Sequence, residues 1–367
     1  MKTLSTDAKK TTVKSRDKKR VMELTGSRDL FGRALYLSII ENLDMLRVFT
    51  YPLLPVTLAL PNIEGTMHNT CKFRLASKLE ASTQSTAADN VDVHVADAVF
   101  SLRVFGDRPS TFGQLAKSFL SKLMAMALLV LLMADTYKRP LIKDPERLKR
   151  GDSSEAVYST TGPQQLVPRD WQKALNSPSF KSSLMHFLAS EWQKPEYSKI
   201  LVERQLYFAV DHKCYRYTAR DGIVTRETLD ALASDHEEAD TLIMFHLHKL
   251  TQERPGLNIT SRCDDVDIMT NFLYHVYCEH ILGHIWMDVG KVSNNTRRYV
   301  YVDINQLIHE ETNKRMFAIL PGFHAFTGCD YTGPFFGKGK QRPFELLKMS
   351  SDIWKHSLSS EANQMYH

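Results

Sequence analysis

From Val91 onward, short apolar runs rich in β-branched residues alternate with helix-patterned stretches, and the runs end on aspartates. VDVHVAD (91–97) alternates and closes on Asp97, LVLLMAD (129–135) closes on Asp135, and LNITSRC (257–263) leads into DDVD (264–267). Between them, 112–127 has helical spacing and 171–192 reads as part of a helical insertion (about 151–200) closed by Pro195. Residues 205–210 and 281–289 read as further strands. Repeated strand-then-helix units predict an α/β fold with a mostly parallel sheet flanked by helices. Sites in such folds lie at the carboxyl ends of the strands, where these aspartates fall.

The remaining segments organise around that unit. Residues 1–90 read as a basic tail and lead-in: one helical stretch over 28–48, a segment punctuated by Pro52, Pro55 and Pro61, and a polar stretch over 80–90. The domain itself is expected over 91–350. Ser234-Asp-His-Glu237 fits a capping box ahead of an amphipathic helix that Pro255-Gly256 ends. The stretch 320–348 carries glycine-rich turns and a last helix.

Composition excludes several classes. With 43% hydrophobic and 24% charged residues, the 367-residue chain is not a wholly disordered one, and its length suffices for a real core. Five widely spaced cysteines with no C-x-x-C pair argue against a disulfide framework or a zinc ribbon. The first residues are polar and basic, unlike a secretory signal. The most apolar run, LMAMALLVLLMA (123–134), falls short of the about 20 residues that a membrane-crossing helix needs. Of the formal +5 charge, the first twenty residues supply more than the whole, through eight basic side chains against Asp7 and Asp17. KSRDKKR (14–20) has the composition of a nuclear-import signal or a nucleic-acid arm, with a solubilising end as the alternative.

Seven carboxylates form the candidate site: Asp97, Asp135, Asp265 and Asp267 at or after strand ends, Glu238 and Asp240 at a helix start, and Asp330 after a Gly-Cys turn. Taken singly, each has an ordinary reading as a turn former or a helix-dipole partner. Jointly placed on one sheet edge, they would repel one another and raise their pKa values unless a cation intervened. Hard oxygen ligands without histidine or cysteine favour Mg²⁺ or Mn²⁺ over Zn²⁺. In an extended segment Asp265 and Asp267 would face one way. Glu238 and Asp240 lie roughly 200° apart on a regular helix, so both serve one centre only if Glu238 sits at the unwound start.

Two basic elements complete the picture. Lys138, Arg139, Lys143, Arg147, Lys149 and Arg150 follow Asp135 and could hold a phosphodiester, or form a solvated helix face. Gly337-Lys338-Gly339-Lys340-Gln341-Arg342 precedes the last helix, where glycine turns and basic side chains could meet a phosphate, or form a plain turn. No P-loop, dinucleotide fingerprint or nucleophile elbow is present. Cys278, His280 and His284 read as packing residues rather than a zinc site, and Trp171 and Trp192 as core.

On these motifs the chain resembles the flap endonuclease/XPG-type nucleases of the PIN-like superfamily, over roughly 91–348. VHVADAVFSL resembles the family's first strand with its ligand aspartate, and LLMADTYKRPLIKDPERLKR its strand ending in aspartate followed by a lysine and an arginine. HEEADTLI resembles its acidic helix start, CDDVDIM its acidic pair, and TGCDYTGPFFGKGKQRPFELLK its last ligand aspartate and helix–turn–helix. Closer still is the resemblance to a group of animal PIN-like proteins sharing HEEADT and HAFTGCD…FGKGK. The resemblance implies a PIN-like α/β fold with a C-terminal helix–turn–helix over 327–350. It also implies a nuclease acting on structured or single-stranded DNA, with RNA as the alternative polymer. Two Mg²⁺ or Mn²⁺ ions would be held by Asp97, Asp135, Glu238, Asp240, Asp265, Asp267 and Asp330. Lys143 and Arg150 would face the scissile phosphate, and Gly337, Lys338, Gly339, Lys340 and Arg342 the DNA backbone. The competing reading is a PIN-like module that binds nucleic acid or protein without turnover. The 90-residue lead-in departs from the family pattern, in which the first strand lies near the start.

Overall fold

The computed structural model describes residues 90–137 and 159–349, apart from short interruptions at 107–108, 264, 291, 294–295, 298–300, 312–313 and 331, together with isolated upstream positions. The basic tail, the basic segment 138–150 with Lys143 and Arg150, and Asp264 lie outside the described residues. Two compact units are present. One comprises residues 1–69 with 333–338, the other residues 70–332 with 339–367. In the first, described positions Gly32, Leu35, Tyr36, Ser38, Ile39 and Ile40 are helical.

The larger unit is built on an eight-stranded sheet. Strand β1 (Val93–Asp97) pairs in parallel with β2 (Leu129–Met133) on one side and β6 (Leu257–Arg262) on the other. Outward from β2 come β3 (Gln205–Val210), in parallel, and then β4 (Lys213–Arg220) and β5 (Ile223–Thr228), both antiparallel. Outward from β6 come β7 (Gly283–Asp288), in parallel, and β10 (Tyr301–Asp303), antiparallel. Strands β8 (Val292–Ser293) and β9 (Thr296–Arg297) form a separate ribbon. The chain thus moves from β1 toward β2 and later returns to the opposite side of β1. That reversal puts a topological switch point between β1 and β6, and open α/β sheets bind ligands at such a point, beyond the carboxyl ends of the strands.

Helices cover both faces. α1 (Ala98–Arg103), α2 (Phe112–Met124), α3 (Trp171–Ala174), α4 (Pro178–Glu191) and α5 (Ser198–Leu201) supply one core, with Val130, Leu132, Leu206 and Phe208 of the sheet. α6 (Ala239–Glu253), α7 (Val266–Tyr277), α8 (Ile304–Glu310), α9 (Met316–Phe326) and α10 (Gln341–Met349) supply the other, with Val93, Val95, Leu131, Ile259, Ile285 and Met287. Leu75, Ala76 and Leu79, from the lead-in sequence, are buried there as well. Coverage on both sides explains why 93–96 is buried at every position although its sequence alternates: His94 is buried too, its Nδ1 2.9 Å from the Thr260 hydroxyl.

Trp192 and Trp171 are core residues. Their indole N–H groups donate to the Ala116 and Leu102 carbonyls, each at 3.1 Å. Cys278 caps α7, while His284 bonds Asp303 and stacks on Trp286. The described cysteines are all free thiols. Among the described residues, no helix is long and apolar enough to cross a membrane. Within 327–350 there is one described helix, α10; α9 ends at Phe326, and residues 327–340 join the two.

Candidate metal centre

Four elements meet at the switch point, and each brings an acid at its terminus. Asp97 ends β1 and caps α1, its Oδ1 accepting from the Val99 and Phe100 N–H groups at 2.7 and 3.0 Å. Asp135 follows β2, and its Oδ1 accepts from the N–H of Ala239, the first residue of α6, at 2.9 Å. Glu238 is the extended N-cap of α6, and Asp240 lies in its first turn. Asp265 caps α7 by accepting from the Asp267 N–H at 2.9 Å.

The unwound position expected of Glu238 is the one it occupies. Two other local expectations are overturned. Ser234-x-x-Glu237 is not a capping box: the Ser234 hydroxyl accepts from the His236 N–H, and Asp135 caps the helix from a different element. The reason is tertiary, because α6 begins against the carboxyl end of β2, where the Thr136 N–H also donates to the Glu237 carbonyl. Asp265 and Asp267 are not in an extended segment either, since α7 starts at Val266. They still converge, because the N-cap side chain folds back over the first helical turn.

Asp240, Asp265 and Asp267 each offer a carboxylate oxygen, all within 4.8 Å of one another, a set that can hold a metal ion. All three are half-buried. Three hard oxygen donors with no sulfur or imidazole among them fit Mg²⁺ or Mn²⁺. Asp97 and Asp135 form the adjoining pair. Burial, and then the charge of Asp135, push the Asp97 carboxyl up to about 7. The Cys263 thiol joins the two groups electrostatically: burial pushes it well above its usual range, and Asp265, Asp240 and Asp97 add to the rise. Asp330 is half-buried in the turn after α9 and, like Asp97, Asp135 and Glu238, stands outside the 4.8 Å set.

Three residues here escaped sequence reasoning. Lys181, on α4 and 95% buried, lies 5.2 Å from the centre of the Tyr137 ring, and its charge favours ionisation of Asp97. The Tyr137 hydroxyl in turn donates to Asp135 Oδ2 at 3.3 Å. His324, on α9 and 96% buried, hydrogen-bonds Asp267 Oδ1 through Nε2. A signal was present in both helices. Lys181 is in register with Leu184, Met185 and Leu188, and His324 with Phe317 and Leu320, so each polar residue interrupts an apolar stripe.

The 337–342 stretch divides. Gly337 (φ 69°), Lys338, Gly339 and Arg342 are exposed, as a backbone-contacting element requires. Lys340 is corrected: it is 1% exposed, and its ammonium donates to the His324 carbonyl at 2.8 Å and to the Thr327 hydroxyl at 2.9 Å. A buried ammonium occupied in this way does not meet a backbone phosphate. A separate cleft lined by Gly256, Asn258, Gly283, His284 and Asn305 opens at the opposite, amino-terminal edge of β6 and β7. Compared with known proteins, the chain matches no family model and no curated protein.

Proposed function

We propose that this chain is a divalent-metal-dependent nuclease of the PIN-like type, hydrolysing phosphodiester bonds in structured or single-stranded DNA, or in RNA. The observation that carries the reading is the convergence of Asp240, Asp265 and Asp267 within 4.8 Å beside the Asp97–Asp135 pair, at the topological switch point of the sheet. Two Mg²⁺ or Mn²⁺ ions would be held by Asp97, Asp135, Glu238, Asp240, Asp265, Asp267 and Asp330, some through water. Bound there, they would supply an activated water and stabilise the leaving oxygen. The chain's own side chains do the rest. The carboxylates fix where the ions sit, and Lys181 with Tyr137 offsets charge at Asp97 and Asp135. Lys143 and Arg150 would approach the phosphate. The element over 327–350, in which α10 is the described helix, would meet the sugar–phosphate backbone through Lys338 and Arg342. Nuclear residence would follow from such a substrate and from the basic tail.

A second reading is favoured by one observation. Asp97, Asp135 and Asp265 already serve as main-chain acceptors at helix starts, so the same acids could persist for folding in a nucleic-acid- or protein-binding module without turnover. Incubating the full chain with labelled flap, gapped and single-stranded DNA, and with RNA, in Mn²⁺ decides between them. The nuclease reading expects cleavage that falls at least about a hundred-fold on Asp265→Ala with Asp267→Ala, in line with the loss of metal-stabilised charge in a transition state. Absence of cleavage from every substrate, or cleavage unchanged by the double substitution, favours the binding module.

A further inference from the structure

We infer that Lys340 is a positioning residue for the metal centre, acting through His324 on Asp267. The inference rests on the metal-centre reading above and assigns a task to the one basic residue of the 337–342 stretch that is buried. An ammonium withdrawn from water is costly unless its donors are used. Those of Lys340 are directed at the carbonyl of His324 and the hydroxyl of Thr327, the last turn and C-cap of α9. Carbonyls at a helix C-terminus lack intrahelical partners, and a cation there also suits the helix dipole. Lys340 therefore closes the end of α9 from the residue immediately before α10.

The end of α9 is where the centre is touched. The imidazole of His324 bonds Asp267 Oδ1, and Asp267 is one of the three acids in the 4.8 Å set. Pro321 interrupts the main-chain ladder of α9 one turn earlier, because proline has no N–H to donate. With that bond missing from the middle of the helix, its end is held by its own C-cap, whose Thr327 hydroxyl donates to the Phe323 carbonyl at 2.7 Å, and from outside by the Lys340 ammonium. Fixing the main chain at residue 324 fixes the ring, and the ring fixes the carboxylate. Partners that orient a ligand in this manner typically change metal affinity by about ten- to a hundred-fold when removed.

The test is calorimetric titration of the full chain with Mn²⁺, with folding of each variant checked by circular dichroism. For Lys340→Met, whose unbranched side chain fills similar space, the Mn²⁺ dissociation constant is expected to rise about ten- to a hundred-fold. Thr327→Val, a milder loosening of the same pin, should raise it by less. With His324→Asn already present, either change should add almost nothing, because both act through the imidazole. If Lys340→Met does not fold, Thr327→Val and its combination with His324→Asn carry the decision. A dissociation constant within two-fold of the unaltered chain's in the folded variants, or effects that multiply independently of His324→Asn, overturns the inference and leaves Lys340 a helix staple. No Mn²⁺ binding by the unaltered chain removes the metal-centre reading and this inference with it, whereas binding without cleavage leaves the inference standing and removes the nuclease.

Discussion

Asp97 sits beside a second carboxylate, Asp135. Its carboxyl is pushed from an ordinary 3.8 up to about 7, by burial first and Asp135 second. A group whose folded pKa is raised binds its proton more tightly in the folded state, so the metal-free chain loses stability as pH rises from about 4 to about 7. At about 1.4 kcal/mol per pH unit, that loss is on the order of a few kcal/mol. Burial acts oppositely on His246, pushed down to about 4, so its neutral form stabilises the fold above 6.5 and this contribution fades as pH falls. The two effects share one pH window, and a difference measurement separates them. In chelator, the stability advantage of Asp97→Asn over the unaltered chain, read from urea denaturation, should grow between pH 4 and pH 7. A constant difference across that range contradicts this account of Asp97. The presence of the acids was legible residue by residue. The cations opposing them were not, because Lys181 comes from a helix far along the chain and only tertiary folding sets it beside Asp97.

The central strands could be read from the sequence nearly residue by residue, since β1, β2, β3, β6 and β7 are apolar runs bounded by polar or turn residues. The hairpin of β4 and β5 was not anticipated. Its faces are mixed and largely open to solvent, so no run of buried residues announces it. The turn signal was there nonetheless, as Asp221-Gly222 between two alternating segments, with both residues at positive φ (53° and 77°). Gly222 has nothing within 4 Å of where a Cβ would stand, so substitution there meets only the backbone penalty. Gly222→Ala should therefore cost about 1 kcal/mol, read from chemical denaturation. A neutral result would mean that the turn relaxes out of the left-handed region without consequence. Helix starts were the least legible feature. α6 takes its cap from Asp135, 104 residues away in sequence, and local pattern matching is blind to such an acceptor.

At the level of the whole molecule, a doubly covered, mostly parallel sheet delivers the termini of several elements to one edge, and this chain loads that edge with acids. The strand order explains the convergence: β6 lies beside β1, so the strand ends that lead into Asp265 and Asp97 are adjacent although most of the domain separates them in sequence. Which acids would approach most closely was not legible, because three side chains within 4.8 Å depend on where α6 and α7 begin to the residue. The measurement that bears most directly on the account is anomalous diffraction at the manganese edge, from crystals of the full chain grown with MnCl₂. The account predicts at least one peak at about 2.0 to 2.2 Å from carboxylate oxygens of Asp240, Asp265 and Asp267, a distance suited to a small hard cation. A map with no peak at this edge, or with manganese bound only elsewhere, would contradict it.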